Sequence, residues 1–289
     1  MKRKKSILRR LIKRLLSVAL IFCIIRGSFE IYTVFKEIQL AHEAAQIYTT
    51  EKKEATGLRE YRPPQPSPAP EPAPTVAEEN EPEPITPEPR ELIVKPELEA
   101  LRAQYSNEDI IGFLSVEGTT INYPVLQYTD NDFYLSKNIY KENNSAGSIF
   151  LDYENNIENL DMNTVIYGHN MKNDIMFHGL RNYKDFSFWE NHKYIHFNTI
   201  YDDMVFEIFA YYTPADSYPY IYANYEDNVF FNLLAQIKEM AYYDTGIGVN
   251  TTDKIIHLST CTNTTNNTRM AVVGKLIELN GEEFQHSSR

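Results

Sequence analysis

One cysteine of the chain stands where a nucleophile could be held and reached. Cys261 directly follows the apolar, strand-like segment 254–260 and precedes the polar segment 262–268. A thiol at the end of a strand is positioned by rigid structure and is still open to a substrate. The other cysteine, Cys23, lies in an apolar run near the N-terminus and cannot pair with Cys261 in a folded domain. Position alone leaves a buried structural cysteine open as the alternative.

A nucleophilic cysteine needs a partner that moves protons, and histidine is the most common one. His169 ends a second apolar segment, 164–168, and is followed by a turn-forming residue. If the two predicted strands are neighbours, His169 and Cys261 meet at one end of the domain. His257 is closer in sequence, but four residues along a strand span about 13 Å, which is beyond hydrogen-bond reach. Three further histidines are expected at the surface: His178, His192 and His196.

Arg269 opens the strand-like segment that follows Cys261. Acyl transfer from an amide builds negative charge on an oxygen, and a fixed cation nearby stabilises that charge. A hairpin-like return of the chain would bring Arg269 back beside Cys261. An arginine that is exposed to solvent at the start of a strand is the alternative.

Charge and hydropathy divide the N-terminal part of the chain. The 289 residues have a net charge of −12, yet residues 1–14 carry eight basic groups and no acid. The cations are therefore not on the folded part, which argues against nucleic-acid binding. The apolar segment 15–35 follows without a small-x-small cleavage site and predicts an uncleaved signal anchor, with a cleaved signal peptide as the alternative. In either case the positive-inside rule places the later residues outside the cell.

The middle of the chain predicts a spacer between the anchor and a folded domain. Residues 36–62 form a polar segment with helical character. Twelve of the fifteen prolines then lie in 63–96, where glutamate is the main companion. Such a composition cannot pack a core and predicts an extended, semi-rigid linker. The catalytic domain is therefore predicted at 97–289.

The domain predicted at 97–289 is mainly β. Eight segments rich in β-branched and aromatic residues predict strands: 110–116, 120–126, 148–152, 164–168, 193–198, 204–213, 254–260 and 270–279. Helices are predicted at 97–105, at 228–242 between the sixth and seventh strands, and in short pieces at 133–137 and 177–183. Eight antiparallel-type strands favour a closed barrel, because closure removes the sheet edges.

These segments together resemble the sortase family of cysteine transpeptidases over about residues 98–279. Leu258-Ser259-Thr260-Cys261, with Arg269 eight residues later, is similar to the family signature T-L-x-T-C followed by Arg. The segment 167–171 resembles the family's histidine motif. One departure is His257, which stands where the signature usually has Thr. The two long helices and the segment 131–135 are most similar to class B sortases.

The resemblance implies an eight-stranded sortase-type β-barrel and a specific reaction. Cys261 would attack the carbonyl of a Thr in a C-terminal sorting signal and form a thioacyl-enzyme. His169 would move protons to and from the two amines, and Arg269 would hold the substrate Thr and its oxyanion. The acceptor amine would belong to peptidoglycan or, in a pilus-assembling sortase, to a pilin lysine. Implied substrate-binding positions are Ser259, Tyr167 and, matched more loosely, Asn131, Leu135, Tyr220 and Ile221.

The expected partners follow from the same resemblance. They are surface proteins with sorting signals, a peptidoglycan amine, and the cell membrane of a Gram-positive bacterium, where the domain would face outward. No carboxylate cluster has calcium-loop spacing, so neither a metal nor another cofactor is expected.

Two other interpretations are weaker. A papain-like or N-L-P-C-type cysteine hydrolase would place the cysteine at a helix N-terminus with the histidine downstream. A non-catalytic adhesin on a stalk would not need Cys261, His169 and Arg269 together.

Overall fold

The computed structural model describes residues 17, 21–36, 39, 92–171, 174–261 and 268–284, and of Cys261 it describes the backbone. The predictions for the basic head 1–14, for nearly all of 36–62, for the linker up to residue 91 and for the loop 262–267 lie outside these residues. Residues 21–36 are helical, and Arg26 donates to Glu30 one turn later at 3.3 Å. Within the described ranges, no helix has the length and apolar character needed to span a bilayer. The anchor at 15–35, part of which lies outside those ranges, stays a prediction.

Eight strands form a closed barrel. They follow the order β6-β5-β1-β2-β3-β4-β7-β8, and pairing of β6 with β8 closes the ring. A ninth strand, β9, pairs with the end of β8. The strands are β1 (Ile110–Val116), β2 (Asn122–Leu126), β3 (Ile149–Leu151), β4 (Asn163–Tyr167), β5 (Tyr194–Thr199), β6 (Asp203–Tyr212), β7 (Ile255–Cys261), β8 (Arg269–Leu279) and β9 (Glu282–Glu283). The eight predicted strands are confirmed, each to within two residues at either end.

Two strand pairs of the barrel are parallel: β2 with β3, and β4 with β7. The prediction of antiparallel-type strands is wrong for these pairs. Parallel neighbours need a long crossover connection, and the chain provides one in each case. Between β4 and β7 it passes through β5, β6 and a helix. The consequence for the site is that β4 and β7 end at the same rim of the barrel.

Among the described residues from 92 onward, three α-helices pack around the barrel. They are α1 (Pro96–Tyr105), α2 (Phe186–Asn191) and α3 (Asp227–Met240), with 3-10 helices at Phe133–Leu135 and Phe177–Lys184. The predicted helices are present, and α3 lies between the sixth and seventh strands as expected. The sequence analysis missed α2. This helix begins after Asp185, whose side chain accepts a hydrogen bond from the Ser187 amide and caps the first turn.

The alternation of side chains along the strands builds three apolar layers. Ile256 and Leu258 of β7 point into the barrel, where the largest cluster lies. Ile255 of the same strand faces outward and packs with the apolar side of α3. A third cluster fills the space between the wall and α1. The wall that carries β7 is therefore covered on both faces along most of its length, which makes it a rigid support.

Candidate active site

Strands β4 and β7 run side by side in the same direction toward one rim. Their last registered pair is Tyr167 with Ser259, and the Gly168 amide still donates to the Ser259 carbonyl at 3.3 Å. His169 and Cys261 each come two residues after that pair. Because alternate residues of a strand share a face, extension of the register places His169 opposite Cys261, on strands about 4.8 Å apart. The neighbouring strands that the sequence analysis required are present.

Strand β8 flanks β7 on its other side. Its first residue, Arg269, is the antiparallel partner of Cys261. Residues directly opposite each other in such a pair have Cβ atoms about 5 Å apart on one face of the sheet. His169, Cys261 and Arg269 thus follow one another across three neighbouring strands, and we refer to them as the rim row.

The imidazole of His169 is held by a neighbouring loop. Its Nε2 lies 2.8 Å from the carbonyl oxygen of Leu135. A carbonyl oxygen only accepts hydrogen bonds, so in the neutral ring Nε2 carries the proton and Nδ1 carries the lone pair. The backbone of His169 is also tied, since its carbonyl accepts from the Phe177 amide at 3.0 Å. The ring is therefore oriented and partly exposed, with one nitrogen ready to accept a proton.

The guanidinium of Arg269 forms an ion pair that the sequence analysis did not predict. Its Nε donates to Oδ1 of Asp216 at 2.5 Å. Asp216 lies in the loop between β6 and α3, far from Arg269 in sequence. A single acid in a loop carries no local signal of such a contact.

A buried carboxylate joins two of the predicted substrate-binding residues. Asp152 is 2 % exposed, and its Oδ2 accepts from Asn131 Nδ2 and from the Tyr167 hydroxyl, both at 2.9 Å. Burial and, next, the Asp152 carboxylate raise the pKa of Tyr167, so this hydroxyl stays protonated and donates. Asp152 was missed, although an acid directly after a buried strand is a signal that could have indicated it.

The other four predicted substrate-binding residues fall into two groups. Leu135 and Ile221 are each 40 % exposed and can contact a bound peptide directly. Ser259 and Tyr220 are buried, and their hydroxyl oxygens lie 2.6 Å apart. They therefore support the surface beside the rim row from below.

His257 lies four residues before Cys261 on the same strand and is completely buried. The side-chain nitrogen of Asn163 donates to the carbonyls of Tyr220 and Tyr222, so its oxygen, 2.6 Å from His257 Nδ1, is the acceptor of that contact. Nδ1 therefore carries the proton, and Nε2 accepts from the Tyr212 hydroxyl at 3.2 Å. Burial lowers the pKa of His257 to about 3. A neutral imidazole with both nitrogens bonded suits a structural role in the wall.

His178, which was expected at the surface, is buried instead. The prediction failed because the ring packs beneath the loop that follows His169, and its Nδ1 lies 2.7 Å from Oδ1 of Asn170. Burial and, next, the Arg181 charge lower the pKa of His178. The His178 ring therefore helps to hold Asn170, the residue that follows His169, in place.

Metal-binding side chains are not grouped anywhere in the part of the chain that the structure describes. No set of three or more histidine, cysteine, aspartate or glutamate residues there could hold a metal ion.

The chain is similar to known proteins over more than half of its length. The family model described as "Sortase domain" matches residues 114–277, which is more than half of the chain. The chain belongs to the sortase family. The matched range contains the whole rim row, so this sortase carries the cysteine, the histidine and the arginine inside its family domain.

Curated and solved relatives place the sortase closest to class B. Sortase B of Listeria monocytogenes is 40 % identical over 177 residues, which cover 60 % of this chain and 72 % of that protein. Sortase B of Staphylococcus aureus is 35 % identical over 189 residues, with coverage of 64 % and 77 %. The solved Staphylococcus aureus sortase B–substrate complex matches with a TM-score of 0.60 and 34 % identity, covering 64 % of this chain and 87 % of that one. The closed eight-stranded barrel and its helices match these structures. The protein is therefore a sortase enzyme, most similar to class B sortases.

Proposed function

We propose that this sortase cleaves a C-terminal sorting signal after a Thr and transfers the protein to an amine of peptidoglycan. The observation that supports the proposal most strongly is the rim row, in which Cys261 lies between a histidine strand and an arginine strand. Such a row offers a nucleophile, a proton carrier and a cation on one face of a rigid wall. A relative has been solved as a substrate complex, which agrees with a site that binds a peptide.

The first half-reaction makes the thioacyl-enzyme. In the starting state the proton of the Cys261 thiol is on His169, so Cys261 is a thiolate. The thiolate attacks the Thr carbonyl carbon, and the π electrons of that carbonyl move to its oxygen. Arg269 stabilises the resulting oxyanion. The oxyanion then collapses, the C–N bond breaks, and the leaving amine takes a proton from His169. The Thr acyl group is now bound to Cys261 through a thioester.

The second half-reaction transfers the acyl group. His169, now neutral, takes a proton from the incoming amine, and the amine nitrogen attacks the thioester carbonyl. The C–S bond breaks, Cys261 leaves as thiolate, and a new amide remains. The imidazole is protonated again, so the site returns to its starting state.

The proposed location is the outer side of the cell membrane of a Gram-positive bacterium, with a single N-terminal anchor. Residues 1–14 are basic, 15–35 are apolar and 63–96 are rich in proline, in this order. A basic head stays in the cytoplasm, and a proline-rich spacer holds a domain away from the bilayer. Tethering would keep the enzyme close to substrates that are anchored in the same membrane.

Cleavage of a peptide library tests the reaction. Quenched fluorescent peptides that each contain one Thr, with randomised flanking residues, are incubated with the wild type and with Cys261→Ala. We expect the wild type to cleave after Thr and Cys261→Ala to be inactive with an unchanged circular dichroism spectrum. Turnover by Cys261→Ala would contradict the mechanism.

Acceptor peptides then decide the second half of the proposal. A peptidoglycan stem peptide and a lysine-containing pilin peptide are added separately to the reaction with the best library peptide. Ligation to the stem peptide supports cell-wall anchoring. Ligation to the pilin peptide alone would show a pilus-assembling sortase instead.

A further inference from the structure

The loop between β6 and α3 contacts the arginine of the rim row directly. Asp216 of this loop accepts the Nε–H of Arg269 at 2.5 Å. The same loop carries Tyr220 and Ile221, two of the predicted substrate-binding residues. The arginine and one side of the peptide-binding surface therefore depend on one segment of the chain.

Backbone contacts fix the position of Asp216 relative to Arg269. The Arg269 amide donates to the Pro214 carbonyl at 2.9 Å, and Ala215 forms an antiparallel bridge with Thr268. The two residues that precede Asp216 are thus bonded to the start of β8. These backbone contacts hold the Asp216 carboxylate next to the Arg269 guanidinium.

The ion pair is too exposed to matter much for folding. The side chains of Arg269 and Asp216 are 37 % and 51 % exposed, and such surface pairs contribute little to stability. The geometry of the pair matters instead for the orientation of the guanidinium. A guanidinium is planar, so an acceptor on its Nε–H sets the direction of the plane and of the other N–H groups.

We propose that Asp216 is a positioning residue of the transfer reaction, which orients the Arg269 guanidinium toward the Thr carbonyl oxygen. The proposal rests on the proposed function, because it gives Asp216 a role through Arg269. Oxyanion stabilisation needs donors that are aimed at the oxygen before the charge develops. A guanidinium that is held less tightly has to be ordered in each catalytic cycle, which lowers kcat more than it raises KM.

The test compares two isosteric variants with the best library peptide. Asp216→Asn weakens the contact with Arg269. Asp203→Asn is the control, because Asp203 also forms an ion pair, with Lys95 at 2.6 Å, at the opposite end of the barrel. We expect kcat of Asp216→Asn to fall about tenfold with KM changed less than twofold, and Asp203→Asn to match the wild type. Equal or higher kcat in Asp216→Asn would overturn the proposal.

Two further measurements separate positioning through Arg269 from other roles. In the Arg269→Lys background, Asp216→Asn should cause little additional loss, because both changes affect one unit. The same tenfold loss there would show that Asp216 acts elsewhere. The Arg269 Nε–H signal in proton–nitrogen NMR should exchange faster in Asp216→Asn, and an unchanged rate would overturn the contact. A wild type that cleaves no library peptide refutes the proposed function, whereas the NMR result is independent of turnover.

Discussion

Two histidines on or beside strand β7 have opposite environments. His169 lies at the open rim, partly exposed, and its Nε2 lies 2.8 Å from the Leu135 carbonyl oxygen. His257 lies on the wall four residues before Cys261, completely buried, with both nitrogens bonded and the Tyr220 ring stacked 5.2 Å away. The residue type is the same, yet among the contacts of the described residues both ring nitrogens of His257 are bonded, whereas for His169 only Nε2 is.

We infer from this difference that access to solvent and substrate decides which histidine can carry protons. A proton carrier has to gain and lose a proton during each turnover. Burial opposes the charged form of His257, and its hydrogen bonds would have to be rearranged to accept a proton. Its neutral ring instead supports Tyr220 and, through that residue's hydroxyl, Ser259. The departure from the family signature at residue 257 is therefore accommodated inside the wall.

The largest effect is expected when the rim histidine is removed. His169→Ala eliminates proton transfer to the leaving amine, so kcat should fall by about 10³-fold with little change in KM. The measurement is steady-state cleavage of the best library peptide. His192→Ala is the control, because this histidine packs on Phe188 and is not a member of the rim row. Near-normal turnover of His169→Ala, together with an inactive His257→Ala, would show that His257 and not His169 carries the protons.

A somewhat smaller loss is expected at the arginine. Arg269→Lys keeps the charge but loses the planar fork of donors, so kcat should fall about a hundredfold. Arg102→Lys serves as the control, since Arg102 lies on α1 and donates to the Ile110 carbonyl. Equal rates for Arg269→Lys and the wild type would mean that Arg269 is only a solvent-exposed cation.

The buried histidine should affect stability against acid more than it affects catalysis. The pKa of His257 is about 3 in the folded state, whereas an unfolded histidine titrates near 6.5. The unfolded chain thus binds the proton first, and the native state loses stability as the pH falls from about 6.5 toward 3. His257→Gln removes this contribution. Urea unfolding measures the free energy of unfolding of both proteins between pH 6 and pH 4. The free energy should change with pH less steeply in His257→Gln than in the wild type, by up to about 1.4 kcal/mol per pH unit. Identical pH dependences would disprove a buried neutral imidazole.

The smallest effect is expected when everything before the barrel is removed. Lys95 is already tied to the domain, since its amide donates to the Ile200 carbonyl and its Nζ contacts Asp203. A shortened protein that begins at Leu92 should be soluble and should cleave the library peptide within about twofold of the full chain. Both histidine environments lie inside this fragment. An inactive or insoluble fragment would place the domain boundary further upstream.

Local sequence patterns predicted the strands and most helices, but not which strands pair or which distant side chains are in contact. The strands are short, β-branched and aromatic runs between turn residues, so their positions could be predicted well. The parallel pairing of β4 with β7 depends on a long crossover that no local pattern encodes. Asp216 was missed for the same reason, because it contacts a residue that is distant in sequence. The six-residue helix α2 was missed because its aromatic residues carry no clear helical period.

The most direct test of the account is the mass of the enzyme during turnover. The wild type and His169→Ala are mixed with the best library peptide, quenched in acid and analysed by intact mass and peptide mapping. We predict that the wild type gains the mass of the acyl fragment that ends in Thr and that the adduct maps to Cys261. An adduct on any other residue, or cleavage without a covalent adduct when acceptor is absent, would contradict Cys261 as the nucleophile.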